Sequence, residues 1–283
     1  MEIEIIQFLQ KLRSPLMDLF FKGLNFFDTG AFFFLLIPAI WFGKSWKAGV
    51  KLFAILLLST FAVQYLKSLF DLPRPFHLMP HLAVIKVSGC SFPSGGATNA
   101  MLLSCLLLTY GKIRFKWLIA LLFIFFISLS RIYLGVHFPT DVLGGWALGL
   151  LLWLFFILTS SPVEKWMKKQ PLLILLLLSQ LIPIGLFLLN PSMRNICSIA
   201  MGLSLSLFFI KSPPARTVHK SLLQGALGAA ISFLFYLGTH HFLHPSSFLE
   251  KFLISFGIGF FIGILGSYIC KKTSLLNLKK EKP

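Results

Sequence analysis

Charged side chains are scarce in this chain. Only 12% of its 283 residues are Asp, Glu, Lys or Arg and only nine of those are acidic, whereas 57% are hydrophobic and 32 are Phe. A soluble globule of this length would expose large apolar patches with so little charge, so the composition excludes one and makes lipid the solvent for most of the chain. Cysteine is sparse as well. Cys90, Cys105, Cys197 and Cys270 show neither a disulfide framework nor a metal-binding spacing, and three of them lie in or beside apolar stretches, where a thiol behaves as a small hydrophobe. Internal repeats and low-complexity tracts are lacking. Nor is a cleavable signal expected, because Glu2 and Glu4 stand where a positive region belongs. Ile3, Ile5, Ile6, Leu9 and Leu12 instead predict a short amphipathic helix in an interfacial segment, residues 1–25.

Apolar runs long enough to cross a hydrocarbon core recur at about 26–43, 48–70, 95–110, 117–134, 140–160, 171–189, 194–210, 221–239 and 252–270. The fold class this predicts is an all-α integral membrane protein with about nine transmembrane helices. The formal charge of +17 invites a nucleic-acid reading, but the cations sit in short loops between apolar runs rather than on one basic face. They report topology. The loops after the first, third, fifth and seventh runs, with the C-terminal tail, hold 17 of the 26 cations and only two acids, Glu164 and Glu281. By the positive-inside rule these loops are cytoplasmic, which puts the N-terminus outside and the C-terminus inside.

Ser160, Ser161, Pro162 and a charged stretch ending at Gln170 divide the chain. The predicted organisation is a catalytic membrane domain over 1–160, a cytoplasmic linker over 161–170, C-terminal transmembrane helices of unassigned role over 171–270 and a basic tail over 271–283. Ionisable residues and special backbone positions concentrate in two outward loops of the first half, residues 67–96 and 130–141. In the second half, His240, His241 and His244 read as an interfacial loop or a metal site. Gly225, Gly228, Gly257, Gly259, Gly263 and Gly266 are small residues that let membrane helices approach closely.

Three clusters carry the chemistry, and each has an ordinary reading by itself. Lys67, Arg74 and Pro75 end the second run, where cations commonly snorkel to the interface. Pro93, Ser94, Gly95 and Gly96 open the third run as a helix start, whose free N–H groups and positive dipole end also suit an anion. Ser130, Arg131, His137 and Asp141 stand at the mouth of two runs, where such groups are costly unless they pair with each other or with a ligand. An imidazole four residues before a carboxylate can donate one ring N–H to it, leaving the other nitrogen free to attack phosphorus. His137 is then the nucleophile and Asp141 its orienter. Three cations beside a helix N-terminus suit a phosphoryl group, whose transition state spreads negative charge over three oxygens, and this design requires no metal.

Together the clusters resemble the signature of the type 2 phosphatidic acid phosphatase (PAP2) superfamily over roughly residues 15–160. That signature reads Lys, six residues, Arg-Pro; then Pro-Ser-Gly-His; then Ser-Arg, five residues, His, three residues, Asp. The resemblance implies a helical membrane phosphatase acting on a lipid phosphate or isoprenyl diphosphate without metal or other cofactor. It implies a phosphohistidine at His137, activation by Asp141, and phosphate binding by Lys67, Arg74, Ser94, Gly95 and Arg131. The bilayer and the lipid are its expected partners, and the outer face of a plasma membrane its expected place of action.

One position departs from the signature. The second cluster ends in histidine in the family, as general acid for the leaving oxygen, and here that position is Gly96. For a phosphomonoester the loss of a positioned acid costs about a hundred- to ten-thousand-fold in rate. A diphosphate leaves as a monophosphate and needs the acid far less, which favours an isoprenyl diphosphate, such as undecaprenyl diphosphate, over phosphatidic acid or phosphatidylglycerophosphate. His77 or His81 offers a substitute acid, and a lipid-binding or transporting protein with an anion cradle is the non-enzymatic alternative. The topology is checked by cysteine labelling with an impermeant reagent. Labels near residues 80 and 190 are expected from outside, and those near 113 and 166 only after permeabilisation; the opposite pattern reverses the orientation.

Overall fold

A computed structural model describes residues 2–209, 218–242 and 247–278. Among the described residues, each predicted apolar run lies largely in helix. The helices are α1 (Glu2–Gln10), α2 (Pro15–Leu24), α3 (Gly30–Gly43), α4 (Trp46–Phe70), α5 (Pro75–Leu78), α6 (Gly95–Tyr110), α7 (Lys116–Tyr133), α8 (Pro139–Met167), α9 (Leu172–Leu189), α10 (Arg194–Phe209), α11 (Val218–Phe242) and α12 (Phe248–Leu278). Among the described residues, the stretches Trp46–Leu78, Lys116–Tyr133, Pro139–Met167 and Leu172–Leu189 are each long and apolar enough to cross a bilayer. A bent pair, Pro15–Asp28 with Gly30–Gly43, meets at 55°. The chain is an integral membrane protein built of helices, the structure that satisfies its own backbone groups in lipid.

By their contacts the residues fall into two units, 1–29 with 58–161 and 30–57 with 162–283. Residues 30–57 group with those that follow residue 161. Over the predicted linker, α8 continues through Pro162 to Met167, and Glu164 pairs with Lys51 at 2.6 Å and with Lys168 at 3.1 Å.

In the first unit, α6 packs on α7, with α2 and the 3-10 turn Asn25–Asp28 laid against α7. The opening segment is docked rather than merely interfacial. Ile6 is fully buried, and the Gln10 side chain donates to the carbonyls of Leu82 at 2.9 Å and Tyr133 at 2.8 Å. Phe21 stacks on Tyr133 with centroids 4.1 Å apart, in a cluster with Phe76, Leu134 and Val136. Burying each such side chain contributes about 1.5–3 kcal/mol, which anchors the corner between α7 and α8 from which His137 projects. The approach of α8 to α6 needs glycine. A Cβ on Gly145 would stand 2.7 Å from the Ser94 carbonyl, and one on Gly149 2.6 Å from that of Thr98.

In the second unit α3 packs on α11, and α10 on α9 and α12. Gly225 lies against Ala39 and Gly43, Gly228 against Phe42, and Gly259 against Ile199 and Leu203, while Gly257 meets nothing within 4 Å. The side chains of Gly266's neighbours and of His240, His241 and His244 lie outside the described residues, as do residues 210–217, 243–246 and 279–283. Gly149→Leu is expected to destabilise the protein by about 1–3 kcal/mol, read as a melting temperature in detergent several degrees lower. Gly185→Leu, at a glycine with nothing within 4 Å, is the control and is expected to melt like the parent.

Candidate active site

Three segments of the first unit meet at the site: the end of α4 with the turn after it, the start of α6, and the corner between α7 and α8. Lys67 lies in the last turn of α4, and Arg74 precedes Pro75 as the cap residue of α5. Both are buried, where an unpaired cation is costly, and the backbone of residues 88–91 supplies the oxygens. Lys67 Nζ donates to the carbonyls of Cys90 at 2.5 Å and Ser91 at 3.2 Å. Arg74 donates through Nε to Gly89 O at 2.7 Å, through Nη2 to Ser88 O at 3.1 Å and through Nη1 to Val136 O at 2.9 Å.

The ring of His137 is held from both sides. Its Nδ1 lies 3.3 Å from Asp141 Oδ2, and its Nε2 lies 3.3 Å from Arg74 Nη1. A carboxylate accepts and a guanidinium donates, so the proton sits on Nδ1 and the lone pair of Nε2 faces Arg74. Burial holds the imidazole well below the ordinary histidine value of 6.5, and the positive charges of Lys67 and Arg74 push the same way against the pull of Asp141. The ring is therefore neutral at physiological pH. Asp141 Oδ2 also accepts from the Phe138 N–H at 2.7 Å and from the Ser91 hydroxyl.

Ser94 caps α6, its hydroxyl accepting from the Ala97 N–H at 3.4 Å, and its own N–H donates to the Asp141 carbonyl at 2.9 Å. That bond joins the second cluster to the third. The first helical bond runs from Thr98 N to Ser94 O, so the N–H groups of Gly95 and Gly96 precede the helical ladder and present donors to an anion. Arg131 is only 2% exposed and lies at the same helix start, with its Cδ 3.1 Å from where a Cβ on Gly96 would be. It donates to Asn25 Oδ1 at 2.8 Å, Asp28 Oδ2 at 2.9 Å and the Ser130 hydroxyl at 3.1 Å.

Lys67, Arg74, Ser94, His137 and Asp141 thus share one hydrogen-bonded network, with Gly95 and Arg131 at its edge. His77 and His81 stay outside it. Both rings are exposed, and His77 Nδ1 accepts from the Arg74 backbone N–H at 3.3 Å as part of the α5 cap. Ser91, Asn25 and Asp28 also belong to the site, although none of them stands in the three sequence clusters. For Asp28 a signal existed, since an acid at the head of an apolar run is expensive without a partner.

Residues 48–164 match the PAP2 superfamily. Phosphatidylglycerophosphatase B of Bacillus subtilis is 30% identical over 172 residues, which cover 56% of this chain and 82% of that protein. The undecaprenyl-diphosphatase of Sulfolobus acidocaldarius is 31% identical over 134 residues, 44% of this chain and 62% of that protein. Among solved structures, Aquifex aeolicus LpxE is 30% identical, with 55% of this chain and 94% of that one covered and a TM-score of 0.49. The chain belongs to the PAP2 superfamily.

Ser91→Ala removes a donor from a buried carboxylate. It is expected to cost about 1.5–3 kcal/mol, as for hydrogen bonds to charged groups, measured by thermal unfolding in detergent at neutral pH. An unchanged midpoint would mean that Asp141 does not depend on this hydroxyl.

Proposed function

We propose that this protein is a membrane lipid phosphatase that hydrolyses a lipid phosphate or isoprenyl diphosphate through a phosphohistidine at His137, on the extracytoplasmic face. The observation that carries this reading is the disposition of the His137 ring. Its protonated nitrogen rests on Asp141 and its lone pair faces a guanidinium 3.3 Å away. A phosphoryl group drawn to Arg74 arrives in front of a neutral nucleophile.

In this mechanism Lys67, Arg74 and Arg131, with the Ser94 hydroxyl and the Gly95 amide, hold the phosphoryl oxygens and stabilise the charge they gain. Nε2 attacks phosphorus, and Asp141 stabilises the imidazolium character that develops on the ring. Water then hydrolyses the phosphohistidine. The residues alone supply nucleophile, orienter and charge stabilisation, so no metal-dependent step is part of the proposal. The missing histidine at Gly96 places an undecaprenyl-type diphosphate first and phosphatidic acid or phosphatidylglycerophosphate second. The relatives' names, an undecaprenyl-diphosphatase and a phosphatidylglycerophosphatase, support that pair of substrates. The excess of cations in the loops assigned to the cytoplasm supports an outward-facing site.

Phosphate release by the purified protein in detergent, from undecaprenyl diphosphate and from phosphatidic acid with EDTA present, tests the reading. Release is expected with EDTA and is expected to be lost in His137→Ala. No release from either lipid, or release indifferent to His137→Ala, would overturn it. The pH profile of kcat/KM gives a second check. A histidine held below its ordinary value loses its lone pair to a proton only at lower pH, so the acid limb is expected below pH 6.5. Lys67→Gln removes one of the cations that depress it and is expected to move that limb upward.

A further inference from the structure

Gly96 leaves a gap in the family's second motif, but the gap is not empty. An ideal Cβ on Gly96 would lie 3.0 Å from both Cγ and Oδ2 of Asp28, and 3.1 Å from Cδ of Arg131. The space into which a side chain at position 96 would grow therefore already holds a carboxyl group. It is delivered from about 70 residues earlier in the chain, by the 3-10 turn Asn25–Asp28 packed on α6 and α7. Oδ2 accepts from Arg131 Nη1 at 2.9 Å, and Oδ1 makes no hydrogen bond to any described residue. The side chain is 25% exposed, in contrast to its fully shielded partner.

We propose that Asp28 is the proton donor and acceptor of the reaction, supplying from the N-terminal turn what the histidine supplies in the family's motif. The inference rests on the phosphatase reading and on the assignment of Arg131 to the phosphate. Arg131 links the two events. In the free protein its guanidinium neutralises Asp28. A phosphoryl group that takes over Arg131 leaves the carboxylate beside a second anion in a poorly solvated place, and two anions so close do not both stay unprotonated. Asp28 takes up a proton as substrate binds. It gives that proton to the lipid oxygen as the P–O bond breaks and the P–N bond to His137 Nε2 forms. In the second step its carboxylate accepts a proton from water, whose oxygen bonds phosphorus as the P–N bond breaks. Phosphate leaves, Asp28 releases the proton it took from water to solvent, and its carboxylate returns to Arg131. The charged groups facing Asp28 are Arg131, Lys67 and Arg74.

The tests compare phenyl phosphate, with its poor leaving group, and 4-nitrophenyl phosphate, with its good one, beside phosphatidic acid. In Asp28→Asn the amide oxygen still accepts from Arg131 but cannot titrate. Turnover of phenyl phosphate and phosphatidic acid is expected to fall about 10²–10⁴-fold, the usual worth of a positioned acid, and formation of the phosphoenzyme from 4-nitrophenyl phosphate by less than tenfold. The basic limb of the kcat profile is expected to disappear with it. Gly96→His alone is expected to gain nothing because Asp28 fills the space, whereas Asp28→Ala with Gly96→His is expected to recover turnover of phenyl phosphate relative to Asp28→Ala. An Asp28→Asn variant that loses both aryl substrates equally, or only through KM, would make Asp28 a support for Arg131 and overturn the proposal. Should Asp28→Asn not fold, the unmodified protein still decides: a near-equal rate of phosphoenzyme formation, read as kcat/KM, for the two aryl phosphates supports an internal acid, and a steep preference for the nitrophenyl ester rejects one. His137→Ala runs in parallel. If it retains activity the phosphatase mechanism itself fails, whereas loss in His137→Ala with full activity in Asp28→Asn removes only the present inference.

Discussion

The Asp141 carboxylate is the point on which the site depends. It is buried, and a buried charge persists only where donors replace the water it has lost. Those donors come from two places, the Ser91 hydroxyl in the loop before α6 and the Phe138 N–H with the His137 ring in the corner between α7 and α8. Satisfying one oxygen therefore fixes the loop before α6 against the corner between α7 and α8. The Asp141 carbonyl adds the Ser94 N–H, so the same residue sets the start of the anion-binding helix relative to the histidine. The ring tautomer follows without further assistance. The remaining nitrogen is left with its lone pair toward Arg74, itself held by carbonyls of residues 88, 89 and 136.

This dependence explains which parts of the site were legible in the sequence. His137 and Asp141 lie four residues apart, and Ser94 and Gly95 open one helix, so local geometry alone relates them. The helices themselves were legible because apolar runs of membrane length have one structural solution in lipid. Asp28 was not assigned, because its meaning comes from a turn packed on α6 and α7 and not from its neighbours in the chain. Ser91 is one ordinary serine in a loop until the loop closes over Asp141. Proline and serine after an apolar run suggest a break near residue 160, yet α8 continues past Pro162 to Met167, with ion pairs from Glu164 to Lys51 and Lys168. Small residues at Gly225 and Gly259 foretold close helix contacts, but not that Gly225 would meet α3 and Gly259 would meet α10.

Gly96 and Asp28 have meaning only as a pair. Considered alone, a glycine in place of the acid argues for substrates whose leaving groups need no proton. If the carboxyl group standing where the missing side chain would begin acts as the proposed acid, that restriction relaxes and monoesters come within reach of the same site. Glycine also suits the aspartate, since a Cβ at position 96 would stand about 3 Å from side-chain atoms of Asp28 and Arg131, which would have to give way.

The charges of the site support the same conclusion. Lys67, Arg74 and Arg131 face the carboxylates of Asp28 and Asp141, and His137 is neutral, so these side chains together carry one net positive charge. A phosphate dianion turns that into one net negative charge, in surroundings where solvent does little to offset it. One proton restores balance. Of the two carboxylates, Asp141 is committed to three donors that prefer it charged, and His137 depends on it. Among the described residues, the Asp28 carboxylate has a single hydrogen-bond donor, Arg131, and in the proposal that is the group an incoming phosphate competes for. In the proposed mechanism the proton that binding demands therefore belongs on Asp28, beside the start of α6.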